Sequence, residues 1–354
     1  MERIYQHFVL EGNPVYCQPY GNGHINDTYL LLTDMPHAYI LQRLNTHVFR
    51  DVPGLMDNII AVTDHLRKYD PDPRHVLTLV HTVDGKPYLA TEDGEYWRMY
   101  EFVTASVCLE QPESVNDMRQ AGVAFGRFQR QLADFPAEKL NETIPQFHDV
   151  PARFEQLRQA IRENRAGRLH EVQYEMTFFM LREEEASRID KMKERGDLPL
   201  RVTHNDTKLD NVMLDKVLHM PLCVIDLDTV MPGLSVLDFG DAIRGGASTG
   251  AEDETDLRKV SLSLDLFEAY ANGYLSTCGT SLTQNEIETL AMGAKTMTIE
   301  CGVRFLTDYL NGDVYFHTTR PGQNLDRCRT QMKLVEDMEA KWQSMLQIIK
   351  LAAR

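Results

Sequence analysis

A short polar segment in the second half of the chain carries the side chains with the clearest chemical meaning. Residues 203–214 read THNDTKLDNVML, so Asn211 follows Asp206 by five positions. Residues 223–229 read CVIDLDT and hold Asp226 after an apolar run. Phosphoryl transfer from a nucleotide uses one aspartate to accept the proton of the attacking hydroxyl. It uses an asparagine and a second aspartate to hold the Mg²⁺ that neutralises the phosphates. These three residues therefore predict phosphoryl-transfer chemistry.

The spacing also predicts how these side chains are positioned. We expect Asp206 and Asn211 at opposite ends of one tight loop, with both side chains pointing into the same cavity. The strand that delivers Asp226 is expected to pair beside this loop. We expect His204 to brace the loop, because the aspartate alone can serve as the base. Asp228 could be a site residue or a solvated or capping acid.

The first hundred residues are predicted to form short strands and a single helix. The predicted strands, which are apolar runs bounded by turn residues, are 29–32, 38–44, 76–80 and 97–103. Apolar residues at helical spacing predict the helix over 52–68. After about residue 104 the periodicity becomes helical. The predicted helices are 114–134, 150–165, 171–195, 255–276, 283–310 and 326–349, interrupted at about 200–240 by short apolar runs.

This order of elements predicts two domains. A small lobe of strands with one helix is expected over residues 1–103. A larger helical lobe is expected over 104–354, joined to the first through a hinge at about 101–105. Ligands often bind between two such lobes.

Composition and charge limit the kinds of partner that the chain can bind. Its 354 residues include 37 lysines and arginines against 53 aspartates and glutamates, which gives a formal net charge of -16 at pH 7. Such a charge repels nucleic acids and anionic membrane surfaces, which disfavours both as partners. Neutral or cationic small substrates and metal-bound anions remain compatible with it.

The cysteines and the apolar runs favour a cytoplasmic protein. The six cysteines form no close pair and no zinc-type spacing, so we expect free thiols in a reducing compartment. The first residues lack the apolar core of a signal peptide, and no apolar stretch approaches the roughly 20 residues that a membrane span needs.

Taken together, these motifs resemble the aminoglycoside phosphotransferase and choline kinase family, the small-molecule branch of the protein-kinase-like fold. Three further segments are similar to bacterial N-acetylhexosamine 1-kinases: 39–45 (YILQRLN), 225–233 (IDLDTVMPG) and 304–316 (RFLTDYLNGDVYF). The resemblance covers most of the chain. It implies an α+β fold with a small antiparallel-sheet lobe and a large, mainly helical lobe. It also implies Mg²⁺-dependent transfer of the ATP γ-phosphate to the anomeric hydroxyl of N-acetylglucosamine or N-acetylgalactosamine.

The resemblance implies a role for each residue of the central motifs. Asp206 would be the catalytic base, with Asn211 and Asp226 as the Mg²⁺ ligands. Lys208 would steady the transferring phosphoryl group, although a solvated lysine would look the same. Asp238, in the segment LDFGDAIR, resembles the family acid that caps a helix and braces the catalytic loop. A plain helix N-cap would also account for it.

In the front lobe, the resemblance implies that a turn and a strand bind the nucleotide. The turn contains Gly21, Gly23 and Asn26, and its backbone can approach phosphate oxygens. Leu41 and Arg43 share one face of the predicted strand, which matches the adenine-contact residue and the phosphate-pairing cation of a kinase strand.

Two further features of this lobe are expected from the same resemblance. At the hinge, backbone groups of Glu101 and Val103 would meet the adenine edge. The predicted helix would supply the acid that pairs with Arg43, and the sequence leaves Asp57 and Asp64 as equal candidates.

The last of the three similar segments is the best candidate for recognition of the sugar acceptor. Neutral sugars are bound by several hydrogen bonds together with aromatic contact, which Arg304, Asp308, Tyr309 and Tyr315 can supply. A helix end packed on the core would look the same in the sequence. His24, from the nucleotide-side turn, is a further candidate for contact with the acceptor.

Other functions remain open at this stage. The acceptor could be an aminoglycoside, choline, homoserine or methylthioribose, and the net charge of -16 suits cationic acceptors. The chain could also be a kinase-like nucleotide-binding module without catalysis. Such modules usually lose the base or a metal ligand, whereas Asp206, Asn211 and Asp226 are all present. The sequence does not predict the oligomeric state or decide between ATP and GTP.

Overall fold

The computed structural model describes residues 2–21 and 25–354, and the chain divides into two compact units. The first comprises residues 1–107, 138–145 and 213–231, and the second comprises 108–137, 146–212 and 232–354. The first unit therefore extends past the predicted boundary at residue 103. It also includes two later segments that the sequence assigned to the larger lobe.

The helices and strands follow in chain order. Up to residue 107 they are α1 (Glu2–Tyr5), β1 (Pro14–Pro19), β2 (Asp27–Thr33), β3 (Ala38–Arg43), α2 (Val52–Leu66), β4 (Leu89–Ala90), β5 (Tyr96–Glu101) and β6 (Ser106–Val107). The next are α3 (Val115–Gln131), α4 (Val150–Glu163), α5 (Gln173–Met180), α6 (Glu183–Ala186), α7 (Arg188–Glu194), β7 (Arg201–Thr203), β8 (Val212–Asp215), β9 (Pro221–Val224) and β10 (Met231–Gly233). The last are α8 (Ser235–Gly246), α9 (Leu264–Cys278), α10 (Gln284–Asn311), α11 (Gln323–Ala340) and α12 (Trp342–Ala352).

The first unit contains a five-stranded antiparallel sheet in the order β1-β2-β3-β5-β4. Side chains alternate across the strands, so one face builds an apolar core. Its buried members are Phe8, Leu31, Tyr39, Leu41, Val80, Trp97 and Met99. A smaller sheet has the order β6-β8-β9. Because β6 pairs with β8, the segment 213–231 joins the first unit.

Most of the predicted elements of the first unit are confirmed. The predicted strands 29–32, 38–44 and 97–103 correspond to β2, β3 and β5, and the predicted helix corresponds to α2. The predicted strand at 76–80 is wrong, because this segment makes only one isolated bridge, between Leu79 and Tyr100. Strand β1 was missed because it begins and ends with proline, which strands tolerate mainly at a sheet edge.

The second unit is mainly helical, as predicted. The predicted helices 114–134, 150–165 and 283–310 correspond to α3, α4 and α10. The single helix predicted over 171–195 is wrong, because the segment forms three short helices, α5, α6 and α7. The helix predicted from residue 255 begins only at Leu264, and the last predicted helix is divided into α11 and α12.

Helix α8 was expected only as a helix capped by Asp238 and was given no bounds, because three glycines lower its intrinsic helix propensity. At least one of them is needed for packing. A Cβ on Gly240 would lie 2.3 Å from the carbonyl oxygen of Gly293 in α10, so a side chain would push the two helices apart. The glycine therefore lets α8 lie against α10 at backbone distance.

A buried glutamate ties the beginnings of three elements together. Glu286, in the first turn of α10, accepts hydrogen bonds from Arg201 of β7 at 2.5 and 2.7 Å and from Ser235 of α8 at 2.6 Å. It also closes a capping box with Thr283. Burial alone would raise the pKa of Glu286, but the hydrogen bonds from Arg201, Ser235 and Thr283 outweigh it and lower the pKa. This carboxylate thus fixes α8 and β7 on α10.

Two further expectations concern the cysteines and the membrane. The six cysteines are free thiols, as predicted, and four of them are buried. Burial raises the pKa of Cys278 and of Cys301 to about 12, so both stay protonated at neutral pH. In the part of the chain that the structure describes, no helix combines the length and the apolar character needed to cross a membrane.

We expect Glu286→Ala to lower the free energy of unfolding by about 3–5 kcal/mol, because it leaves the largely buried guanidinium of Arg201 without its carboxylate partner. The lowered pKa means that Glu286 stabilises the fold fully above the ordinary glutamate pKa of about 4.3 and that this contribution is lost as the pH falls through its lower pKa in the folded state. Urea unfolding at pH 7 and at about pH 3 measures both effects.

The control is Asp197→Ala, which removes an exposed ion pair with Arg195 and should cost less than about 1 kcal/mol. Equal losses in the two variants would contradict the central role of Glu286.

Candidate active site

Two acids of α8 hold the loop between β7 and β8. The Asp238 carboxylate accepts the backbone N–H groups of His204 at 2.7 Å and Asn205 at 2.8 Å. Asp241, one turn further along the helix, accepts the backbone N–H of Thr207 at 3.1 Å. Backbone groups on both sides of the predicted base are therefore fixed.

Asp238 lies inside the first turn of α8, whereas the residue at the N-cap is Leu234. The N-cap interpretation of this acid is therefore wrong, and its contacts support the bracing of the loop. Burial raises the pKa of Asp238 to about 7, although the two backbone hydrogen bonds lower it. For Asp241, burial is outweighed by the charges of Arg244 and His148, which lower the pKa.

The loop brings three of the predicted site residues together. The Asn211 side-chain amide donates to the backbone oxygen of Asp206 at 2.8 Å and to its carboxylate at 3.0 Å. The ammonium group of Lys208 lies 3.1 Å from the same carboxylate. Asn205, just before the base, has a left-handed backbone with φ 61°, a conformation that asparagine tolerates better than most residues. The carboxylate is thus held from two sides at a sharp bend of the chain.

A cavity of about 350 Å³ opens between α4, α10 and the segment after α10. It is lined by Arg153, Gln156, Gln159, Ala160, Glu163, Arg165, Arg304, Thr307, Asp308, Asn311, Val314, Tyr315 and Phe316. The guanidinium of Arg304 lies 5.4 Å from the ring centre of Phe147, 5.4 Å from that of Phe316 and 5.9 Å from that of Tyr315. The cavity therefore offers a cation and aromatic surface together with amide groups.

The predicted acceptor residues have different places around this cavity. Arg304 and Tyr315 line it, and the ring of Tyr315 is well exposed. Asp308 also lines it, but its buried carboxylate accepts three backbone N–H groups of residues 314–316 and the amide of Asn324, each at 2.9 Å. Its hydrogen-bonding capacity is thus used to shape the loop that carries Tyr315.

Tyr309 is not among the residues that line this cavity. Its hydroxyl donates to Glu171 at 2.6 Å, and the guanidinium of Arg168 lies 4.5 Å from its ring centre. Burial, followed by the hydrogen bond to Glu171, raises the pKa of Tyr309 to about 12. These contacts favour a structural role for this side chain.

In the first unit, Asp226 and Asp228 follow β9 at a left-handed bend, where Asp226 has φ 58°. Asp228 is buried and forms an ion pair with the equally buried Arg98 of β5. Asn26 donates to Asp228 at 2.7 Å and accepts the backbone N–H of Asn45 at 3.0 Å. Asn26, predicted to line the phosphate turn, is thus bonded to the acid segment of its own unit.

Arg98, the partner of Asp228, is a residue that the sequence analysis did not single out. Burial alone would lower the pKa of Arg98, but the charge of Asp228, with a further contribution from Asp226, raises it. Its Nε also donates to Gln42 of β3 at 2.9 Å. The available signal was a single arginine inside the otherwise apolar run WRMY of the predicted strand.

Leu41 and Arg43 lie on the other side of β3 from Gln42. Leu41 is fully buried in the apolar core of the sheet, and Arg43 pairs with Asp27 and Glu95. Neither candidate acid of α2 is its partner. Because Leu41 has no exposed surface that a base could contact, this placement does not favour the nucleotide role predicted for the pair.

The other residues predicted to bind the nucleotide lie in the turn after β1 and at the hinge. Gly21 has a left-handed backbone with φ 77°, which suits a tight turn. Gly23 and His24 lie outside the described residues. At the hinge, the N–H of Glu101 donates to Thr78, whereas that of Val103 donates to no described residue.

The donor set fits a hard cation such as Mg²⁺, which prefers carboxylate and amide oxygens. Asn211 contacts Asp206 through its amide nitrogen. The amide oxygen of Asn211 accepts no hydrogen bond from a described residue. Among the described residues, no three His, Cys, Asp or Glu side chains form a metal-binding group by themselves. Asn211 belongs to the second unit and Asp226 to the first, and their role as ligands of one ion stays a prediction.

Comparison with known proteins gives one family. A model of the phosphotransferase enzyme family, APH, matches residues 17–274. A microcompartment-associated aminopropanol kinase is similar with a TM-score of 0.66 and 17% identity over 96% of each chain. An aminoglycoside phosphotransferase from Alicyclobacillus acidocaldarius subsp. acidocaldarius DSM 446 has a TM-score of 0.64 and 14% identity over 99% of this chain and 96% of that one.

A Plasmodium vivax ethanolamine kinase has a TM-score of 0.56 and 15% identity, covering 89% of this chain and 82% of its own. At such low identities the likeness shows the fold. It is the predicted one, an antiparallel-sheet N-terminal lobe and a mainly helical C-terminal lobe.

We expect Asp238→Asn to loosen the loop that carries Asp206. A neutral amide binds the two backbone N–H groups less well than a carboxylate, and a buried donor left unsatisfied costs about 1–3 kcal/mol. Hydrogen exchange of the amides of 204–207 should therefore be roughly 5- to 150-fold faster. The control is Asp256→Asn, an acid that accepts from Arg258. Unchanged exchange in a folded Asp238→Asn protein would refute the bracing role.

Proposed function

Because the chain belongs to the phosphotransferase enzyme family, we propose that it is an ATP- and Mg²⁺-dependent kinase of N-acetylhexosamines. The reaction transfers the γ-phosphate to the anomeric hydroxyl of N-acetylglucosamine or N-acetylgalactosamine. The cavity that contains Arg304 and Tyr315 carries this proposal, because it joins a partly exposed cation, aromatic rings and amide side chains in one place.

The geometry of the loop supports Asp206 as the catalytic base. Its carboxylate is oriented by the Asn211 amide and lies beside Lys208, and the backbone around it is fixed by α8. In phosphoryl transfer the protein contributes mainly positioning and electrostatic stabilisation, so a rigid base is the feature that the reaction requires. Lys208 is placed to balance negative charge near the transferring group.

The charges of the cavity support a neutral acceptor over a cationic one. Three arginines line it, Arg153, Arg165 and Arg304, against the two acids Glu163 and Asp308. The Asp308 carboxylate is already bonded to four N–H groups, so it is a poor partner for an ammonium group. Amino alcohols, which the aminopropanol and ethanolamine kinases name as their substrates, would meet an excess of positive charge there.

The aromatic rings and amides suit a sugar. The apolar face of a hexose packs on rings such as Tyr315 and Phe316, while the guanidinium of Arg304 and the amides of Gln156 and Asn311 provide hydrogen bonds for hydroxyl and acetamido groups. Bound Mg²⁺, held by Asn211 and Asp226, would neutralise the phosphate charge that develops during transfer. The Val103 N–H is suited to the adenine edge of ATP.

We expect Asp206→Asn to lower kcat by about 10²–10⁴-fold, because a general base contributes a factor of this size. ATP binding should persist, so a thermal shift with ATP and Mg²⁺ should still appear, about 2.7 kcal/mol of stabilisation at 100 times the dissociation constant. The control is Asp210→Asn, in the same loop but outside the proposed chemistry. A variant of Asp206 that keeps most of its turnover would refute the assignment of the base.

We expect N-acetylglucosamine or N-acetylgalactosamine to release ADP faster than glucosamine, choline, homoserine or kanamycin in an acceptor panel. Arg304→Ala should raise the KM for the sugar about 10- to 100-fold, because a charged hydrogen bond contributes roughly 1.5–3 kcal/mol. The matched control is Arg182→Ala, since Arg182 also contacts a glutamate and an aromatic ring but lies outside the cavity.

A clear preference for a cationic acceptor would replace the sugar assignment and keep the kinase. Binding of ATP without turnover on any acceptor would favour a non-catalytic nucleotide-binding module.

A further inference from the structure

A buried carboxylate lies beside two arginines of the cavity wall and a histidine. Glu300 of α10 has no exposed surface, and its oxygens lie 3.0 and 3.3 Å from Nδ1 of His148. Arg153 and Arg304 approach the same carboxylate at 3.8 Å, a distance of charge attraction without a hydrogen bond. One carboxylate is thus shared by two arginines and a histidine.

The histidine of this group also contacts the loop of the predicted base. Its Nε2 lies 3.2 Å from the backbone carbonyl oxygen of Asn205, the residue directly before Asp206. With a carboxylate at Nδ1 and a carbonyl at Nε2, both ring nitrogens of His148 face acceptors, which favours the doubly protonated ring. Burial alone would lower the pKa of His148, but the charge of Glu300 outweighs it and raises the pKa.

Charges from other elements also act on this pair. Asp241 of α8 adds to the rise in the pKa of His148, and Arg304 opposes it. For Glu300, burial is outweighed by His148 first and then by Arg304 and Arg153, and the pKa falls. The cluster is therefore a charged pair in a low-dielectric environment, where a change at one member is felt strongly by the next.

We propose that His148 and Glu300 are positioning residues that couple occupancy of the cavity to the orientation of the loop carrying Asp206. The inference rests on the proposed function in one respect, namely that the acceptor binds in the cavity. It assigns a role to two residues outside the sets proposed for catalysis and for acceptor binding.

The physical step is a redistribution of charge. When an oxygen of the acceptor binds the guanidinium groups of Arg153 or Arg304, these groups share less of their charge with Glu300. More of the carboxylate charge then acts on His148, whose other N–H bonds more strongly to the carbonyl of Asn205. The peptide that leads into Asp206 is thereby held more firmly when the acceptor is present than when it is absent.

The first test uses the unmodified protein. Hydrogen exchange of the amides of 203–207 is measured with and without N-acetylglucosamine, in the absence of ATP. We expect the acceptor to slow exchange in this loop by at least 3-fold, and to do so less in Glu300→Gln. Saturating acceptor with no change in the loop of the wild-type protein would overturn the inference.

The second test separates kcat from KM. We expect His148→Phe, which keeps a ring but removes both N–H groups, to lower kcat at least 10-fold while the KM for the acceptor changes less than 3-fold. His148→Gln, which restores one donor, should recover part of kcat. The matched controls are His75→Gln, in a histidine–aspartate pair of the first unit, and Glu175→Gln, a buried glutamate paired with Arg329. Both should keep wild-type kinetics.

The third test is a double-mutant cycle between His148→Phe and Arg304→Ala. Coupling predicts that the combined loss in kcat/KM is smaller than the product of the single losses by at least 5-fold. Losses that multiply, or a lower melting temperature with unchanged kcat in His148→Phe, would assign the pair a purely structural role.

Failure of the proposed function gives a different result. If the wild-type enzyme phosphorylates another acceptor and not the N-acetylhexosamines, the same variants are measured with that acceptor. The measurements with that acceptor then test the coupling separately from the proposed function.

Discussion

The two acids of α8 and the loop at 204–207 stabilise each other. A buried carboxylate loses its hydration, at a cost of several kcal/mol, unless donors replace the water. Asp238 receives two such donors from the backbone of the loop, and Asp241 receives a third. In return, a polar loop that would otherwise be flexible obtains one backbone conformation. The proposed role of Asp206 as a base requires this rigidity, because a catalytic group must be held in the correct geometry for the reaction.

Helix α10 connects α8 and the loop at 204–207 to the rest of the second unit. Its first turn holds α8 and β7 through Glu286, and its C-terminal half presents Glu300, Arg304 and Asp308 at intervals of four residues on one side. The same rigid element therefore sets the position of the loop and of the cavity wall. Because the Asp308 carboxylate accepts hydrogen bonds from the backbone N–H groups of 314–316, the aromatic lining is ordered before any ligand is bound.

Much of the fold could be predicted because the local patterns were strong. Strands β2, β3 and β5 contain short apolar runs bounded by turn residues, and α10 begins with a capping box and runs for 28 residues. The errors arose where tertiary packing overrides local preference. Helix α8 forms despite three glycines because one of them lets it approach Gly293. The segment at 76–80 pairs with β5 only at Leu79, and this pairing is too short to make a strand.

The sequence by itself determined that Asp206, Lys208 and Asn211 lie together, since they stand within six positions and one short turn must bring them close. Only the tertiary structure decided the partners that lie far apart in the chain. Arg98 meets Asp228 across 130 positions and His148 meets Glu300 across 152. Local spacing can be read from the sequence, whereas a distant partner depends on which helices and strands pack together. A buried charge is stable only where that packing supplies its counterpart.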